Sequence, residues 1–391
     1  MAVDLSTECA LCGGHSLEPL MMAKDYPAFL VPLPDELARS VQRADLPVLT
    51  CGTCGHVQQA QPDAELQRAI YETYYSHYQV DTSEALIPHY RDPFRRFFAE
   101  TFDEMRAKGR RLLEIGCSSG ANVDFLRRFA SDYTGIDASE RIELARKAHP
   151  DCSFIKGYFP QALPAGTFDI VVSQFNLEHI GDVRAFLDAC SRHVAADGML
   201  VVQVPDIDEF DRNGQPNFLA HEHLQYFRKA PLQHGLSLAG WEPVAWVADG
   251  PSLICAARRT AAKATPAHLN DHAVLDRIVN RFRTAPQIAD RRLIMYGVGP
   301  QLFWLLQFVD RAYVAHVIDD NLGYRGMAVP GSGWPVEVLT PEMLRAAPYV
   351  VLSLNSIYHP RVLERIRTLN VPATVLACRA GRWEEIAIPG A

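Results

Sequence analysis

Apolar and polar positions alternate along most of this chain in a rhythm that separates it into four stretches. Between residue 111 and about 259, short apolar runs ("RLLEIG", "YTGID", "FDIVVSQF", "GMLVVQVP") are separated by amphipathic segments. Continuous apolar runs of strand length, spaced by helical patterns, predict a parallel sheet covered by helices. Two further runs, "EPVAWV" and "SLICAARR", predict a hairpin that closes the same sheet. The segment "TAAKATPAHL" reads as a linker, after which the α/β rhythm restarts in "RLIMYGVG", "YVAHVIDD", "YVVLSLN" and "PATVLACR". Ahead of the first α/β region, residues 61–100 are aromatic and helical in character ("ELQRAIYETYYSHYQV", "DPFRRFFAETFDEMRAKG"), and residues 1–60 read as loop-rich. The expected organisation is residues 1–65, residues 66–259 and residues 260–391, with no tandem repeat.

The loop-rich start carries two C-x-x-C pairs, Cys9 with Cys12 and Cys51 with Cys54, each followed by glycine. Glycine lets backbone amides turn toward the sulfurs, and two such turns bring four thiolates into the tetrahedron that Zn²⁺ prefers. A redox pair is the competing reading, and two turns of the same form favour a structural Zn²⁺. The 38 residues between the pairs must then leave the site and return. His56 is expected beside the metal or on the surface rather than on it.

In "LLEIGCSSGANVDFL" a strand ends in Glu114 and leads through Gly116 and Gly120 directly into a helix. The glycines permit a turn that a ligand can approach closely. The pyrophosphate fingerprint G-x-G-x-x-G is not met, because Ser118 stands at its second glycine. An acidic residue before such a loop suits a cationic ligand with an amino-acid end. Asp137, at the end of the next strand, stands where a carboxylate can hold both ribose hydroxyls. This pair suits S-adenosylmethionine better than NAD. With the following "GTFDIVVSQFNLEHI" the ordered set resembles the class I methyltransferases. That resemblance implies that "KGYF", with Tyr158 and Phe159, passes the adenine and that Gln174 lies under the sulfonium.

The stretch "HEHLQYF" (221–227) raises a second metal possibility, which spacing removes: H-E-x-x-H would need histidine at Gln225. The order of cysteine pairs, Tyr-rich helix, Gly loop, H-E-H and second α/β region resembles bacterial C-methyltransferases of nucleotide-linked keto-deoxysugars. The run "DDNLGYRGMAVPGSGWPVEVLTPEML" (319–344), with "YGVGPQ" and "LSLN", supports this over nearly the whole length. The implied fold is an N-terminal zinc-binding domain, a central class I (Rossmann-like) methyltransferase domain and a C-terminal Rossmann-like α/β domain that helps hold the nucleotide. The resemblance makes His223 the base, Glu222 its acidic neighbour and His179 a second active-site histidine. Tyrosines of the helical segment reach the sugar, and spacing selects Tyr75 and Tyr78. The chain departs from the family at Ala220, where tyrosine is usual, at Ile254, where arginine is usual, and by lacking a lysine after "GVGPQ".

Composition narrows the partners. Lysine and arginine number 38 against 46 aspartate and glutamate, a net charge of −8. That sign gives no overall attraction for phosphate backbones or anionic membranes. No apolar run approaches the roughly 20 residues of a membrane span. The expectation is a cytoplasmic enzyme, monomeric or weakly self-associating, with a nucleotide sugar as partner and neither nucleic acid nor membrane. An O- or N-methyltransferase on the same scaffold is the alternative enzyme. A zinc-ribbon protein binding nucleic acid is the alternative from another class.

Overall fold

The computed structural model describes residues 7–60, 62–74, 77, 87–163, 166–209, 219–262, 291–379 and 382–390. Tyr75, Tyr78 and most of the expected linker lie outside these residues.

The first α/β rhythm folds as a seven-stranded sheet in the order Trp241–Asp249, Ser252–Arg259, Val194–Pro205, Phe168–Gln174, Arg111–Ile115, Asp132–Asp137, Ser153–Lys156. Neighbours from Val194–Pro205 to Ser153–Lys156 run parallel. The expected hairpin closes the edge, with Ser252–Arg259 antiparallel to both its neighbours. Leu112, Leu113, Val171, Val172, Val201 and Val202 are buried, as strands covered on both faces require. The strand order reverses at Arg111–Ile115, which opens a crevice at the carboxyl ends of that strand and its neighbours.

Helix Ile87–Thr101 covers one face. Its Phe94, Phe98 and the following Phe102 meet Phe125 and Phe129 in an aromatic cluster, with Phe98 and Phe129 at 5.0 Å. The upstream helical segment starts where Asp63 accepts from the Glu65 and Leu66 amides, which closes the open end of helix Ala64–Ala69. It then loosens into a π-helical turn at Ile70–Tyr74.

Residues expected to be loop-rich instead contain two long antiparallel strands, Leu17–Pro27 and Arg43–Cys51. Prolines and two register shifts, at Pro19/Met21 and Ala23/Tyr26, break the period-2 pattern by which a strand is recognised. Val57–Gln59 extends this sheet, and Gln225–Tyr226 of the H-E-H stretch completes it. The last α/β rhythm forms a six-stranded sheet with five parallel strands and an antiparallel final strand, Arg382–Ile388.

One core crosses these sequence regions. Tyr26, Leu46 and Val57 pack with Leu219, Ala220 and Tyr226, and with Leu293, Phe303 and Trp304 of the last region. The Tyr26 hydroxyl lies 3.2 Å from the Leu219 carbonyl and 3.3 Å from that of Pro300. Ala220, the departure noted above, is buried in this shared core. No helix among the described residues is long and apolar enough to cross a membrane.

Candidate active site

The Gly loop lies in the crevice. Gly116 and Gly120 have φ of +79° and +78°, the left-handed region that glycine adopts freely. A Cβ on Gly116 would sit 3.1 Å from Asn176, and one on Gly120 3.0 Å from the Ala145 methyl. Asp137 fastens the loop from the next strand. Its Oδ2 accepts from the Ser118 amide at 2.8 Å, and its Oδ1 accepts from the Ser139 amide and hydroxyl at 2.8 and 2.6 Å.

Glu114 is buried at the strand end, with Oε2 accepting from the Tyr133 hydroxyl and Oε1 from the Asn122 amide at 3.2 Å. Burial pushes its carboxyl up to about 7, against the lowering effect of those two bonds. Asn122 also reaches Gln174 Oε1 at 2.6 Å, Gln174 reaches Gln203 at 2.9 Å, and Gln203 reaches Ser252 at 3.0 Å. One polar chain therefore runs from Glu114 through Asn122, Gln174 and Gln203 to Ser252, across four strands. Asn122 is a residue the sequence reading missed; its place two residues after the second loop glycine, where the helix begins, was the available signal. Tyr158 is three-quarters exposed. Phe159 turns to the core, with its ring 5.5 Å from Phe186 and 5.7 Å from His193.

The strand carrying Gln174 continues into a short 3-10 turn, Leu177–His179, pinned by buried Leu177. Two bonds stitch this turn to the H-E-H stretch. His179 Nδ1 lies 2.8 Å from the Glu222 carbonyl, and the Leu224 amide donates to the Glu178 carbonyl at 2.8 Å. A carbonyl only accepts, so Nδ1 of His179 carries the proton and Nε2 keeps its lone pair. The rings of His179 and His223 meet edge to face at 5.0 Å. Burial holds the His179 imidazole below its ordinary value and pushes the Glu222 carboxyl up to about 7. It is the Glu222 backbone that orients a histidine, and that histidine is His179. His221 is directed elsewhere: it is buried, with Nε2 3.1 Å from the Tyr26 carbonyl.

The four cysteines converge as the spacing predicts. Sγ of Cys9 lies 3.7 Å from that of Cys54, and Sγ of Cys12 lies 3.7 Å from that of Cys51. A tetrahedral Zn²⁺ with bonds of about 2.3 Å requires sulfurs about 3.75 Å apart, so the donor set fits the ion. Gly13 and Gly55, at φ +75° and +70°, make the turns that close the two pairs. His56 is buried rather than at the surface, with Nε2 2.8 Å from Gln225 Oε1, tying the cysteine region to the H-E-H stretch.

Residues 84–245 match the family of methyltransferase domains. Ubiquinone biosynthesis O-methyltransferase of Rhodopseudomonas palustris is 33% identical over 100 residues, covering 24% of this chain and 40% of that one. A probable S-adenosylmethionine-dependent methyltransferase of Mycolicibacterium smegmatis is 29% identical over 139 residues, covering 35% of this chain and 54% of that one. The chain thus spans about half or less of these curated relatives. An S-adenosylmethionine-dependent methyltransferase structure from Mesorhizobium loti superposes with a TM-score of 0.37 at 18% identity, covering 43% of this chain and 96% of that one. The central region is a class I S-adenosylmethionine-dependent methyltransferase domain.

Proposed function

We propose that the protein is a C-methyltransferase acting on a nucleotide-linked keto-deoxysugar, with four-cysteine zinc as a structural element. The observation that carries this reading is the histidine pair, His179 and His223, stitched to the end of the strand whose Gln174 belongs to the cofactor crevice. S-adenosylmethionine supplies an electrophilic methyl group on a sulfonium. In this reading Glu114 takes the amino group of the cofactor, Asp137 the ribose, and the Gly loop lies against its amino-acid end. Gln174 faces the sulfonium, and Tyr158 shields the adenine from outside the crevice.

Methylating a carbon beside a ketone starts with loss of an α-proton. His223 takes that proton, leaving the C–H pair in the enolate, and the enolate carbon then displaces the sulfonium's methyl group with the C–S pair returning to sulfur. A base of near-neutral pKa suits this step. The C-terminal sheet, sharing its core with the H-E-H stretch, holds the nucleotide, and Tyr75 and Tyr78 reach the sugar. A second reading, O-methylation, is favoured by the names of the curated relatives. Solvent deuterium appearing at the carbon α to the ketone before any methyl donor is added is the expected result. Methylation without such exchange would select the O-methyl reading.

Calorimetry on the purified chain is expected to show S-adenosylmethionine binding, and Asp137→Ala is expected to weaken it at least tenfold. The alanine frees both the Ser118 amide and the Ser139 turn. No binding at millimolar cofactor would sink both enzyme readings. Binding is also expected to tighten from pH 6 to pH 8. Glu114 is protonated below its value of about 7, whereas a cationic ligand favours the carboxylate, so binding at pH 6 must expel a proton. The same displacement makes the ligand-free fold bind more protons than the unfolded chain, so its melting temperature should fall as pH rises through 7. A pH-independent affinity would show that Glu114 does not meet the charge.

A further inference from the structure

Glu178 is a buried carboxyl group that the mechanism above does not use. Only 2% of the residue is exposed, and its Oε2 has no hydrogen-bond partner among the described residues. A carboxylate oxygen of Glu178 and one ring nitrogen each of His179 and His223 all lie within 4.8 Å of one another. An unsatisfied carboxyl buried in a protein costs stability unless something compensates it.

We infer that Glu178 is a positioning residue that completes a proton relay with His179 and His223, carrying away the proton that the substrate loses. The inference rests on the enolate reading of the site. Each pair of these atoms lies within 4.8 Å, a span that one bridging water can close. A water there would find three polar partners, the number a buried water ordinarily has. The two stitches already described, His179 Nδ1 to the Glu222 carbonyl and the Leu224 amide to the Glu178 carbonyl, hold the three groups at this spacing. They also leave Nε2 of His179 ready to accept.

The step balances without any added reagent. His223 forms an N–H bond with the α-proton and becomes imidazolium. It passes its proton through the water to Glu178 as the Glu178 O–H proton moves to Nε2 of His179. The net change is one proton moved from His223 to His179, beside half-exposed Tyr71, whose ring lies 6.4 Å from that of His179. One further titratable group, Glu222, faces the relay. Burial, with a smaller contribution from the Glu222 charge, pushes the Glu178 carboxyl up to about 8, so it holds a proton to exchange at neutral pH. His221 points away toward Tyr26 and takes no part.

A divalent metal held by the same three residues is the competing occupant. Bonds of about 2.0–2.2 Å to nitrogen and oxygen would set the donor atoms about 3.0–3.5 Å apart and would remove His223 as a base.

The test uses the full chain with its cysteine site loaded with zinc. Histidine ring C–H signals are titrated by NMR in the wild type, Glu178→Gln and Glu178→Asp. Coupled groups titrate in shared steps. The expected result is that the His179 and His223 signals move in two steps in the wild type and one in Glu178→Gln, with two steps regained in Glu178→Asp. Unchanged titrations in folded Glu178→Gln would overturn the relay. So would a further equivalent of added Zn²⁺ or Mn²⁺ that broadens or shifts both histidine signals at micromolar concentration. With a nucleotide-linked keto sugar, Glu178→Gln is expected to slow α-proton exchange ~10-fold or more with KM unchanged, a share of what acid–base groups contribute. If the wild type exchanges no α-proton from such a sugar, the enolate reading fails, and the NMR result still decides whether the three groups share a proton.

Discussion

Replacing Cys51 by serine is expected to remove one equivalent of zinc per chain and to lower the melting temperature by more than about 10 °C. The paired sulfurs stand on edges of 3.7 Å, the edge of a zinc–thiolate tetrahedron. The cysteines are also part of a packed core. Cys9, Cys51 and Cys54 are fully buried in one cluster with Leu11 and with Leu232, Leu236 and Trp241, the last three of which belong to the methyltransferase sheet and its covering helix. Leu11, between the first two cysteines, lies over Gly235 so closely that a Cβ there would be 2.3 Å from its methyl. Losing the metal therefore releases more than a surface loop. It uncouples the first sheet from the helix Lys229–Leu238. Structural zinc contributes on the order of 10 kcal/mol in isolated fingers at neutral pH. Even a third of that shifts the melting temperature of a unit this size by about 10 °C. Metal analysis and a thermal melt of the variant check both parts. A Cys51→Ser chain that keeps its zinc, or melts with the wild type, would remove the cysteine site from the account.

The parallel sheets were readable because strands buried on both faces appear as unbroken apolar runs, as "FDIVVSQF" and "GMLVVQVP" do. The first antiparallel sheet was not, because "LEPLMMAKDYP" alternates poorly and is bent by register shifts. In the crevice, Glu114 and the loop glycines declare themselves through local order along one strand–turn–helix. Asn122 and Glu178 do not. A glutamate in a short turn reads as surface until the chain returns, and Glu178 is buried only when residues 222–224 fold over it. His221 and His223 show the converse. Two histidines two apart look equivalent in sequence, yet the turn sends one to the Tyr26 carbonyl and the other to His179.

That division of labour gives the second large effect: His223→Asn is expected to lower turnover by ~10²–10⁴, the range a general base contributes, with cofactor binding unchanged. The residues proposed to hold the cofactor, Glu114, Asp137 and Gln174, belong to strand ends tied by their own hydrogen bonds, and none of those bonds passes through His223. Asparagine retains a polar group at the position while losing the group that titrates, so the fold is expected to survive. His221→Asn provides the contrast. Its ring is buried and bonded to backbone, so its loss should act on stability, by about 1–3 kcal/mol for a broken buried hydrogen bond, and only weakly on turnover of the folded fraction. Measuring kcat, cofactor affinity and melting temperature for both variants separates a base from a structural histidine. If His223→Asn turns over at near the wild-type rate, His223 is not the base. If His221→Asn loses turnover without loss of stability, the two histidines have been assigned the wrong way round.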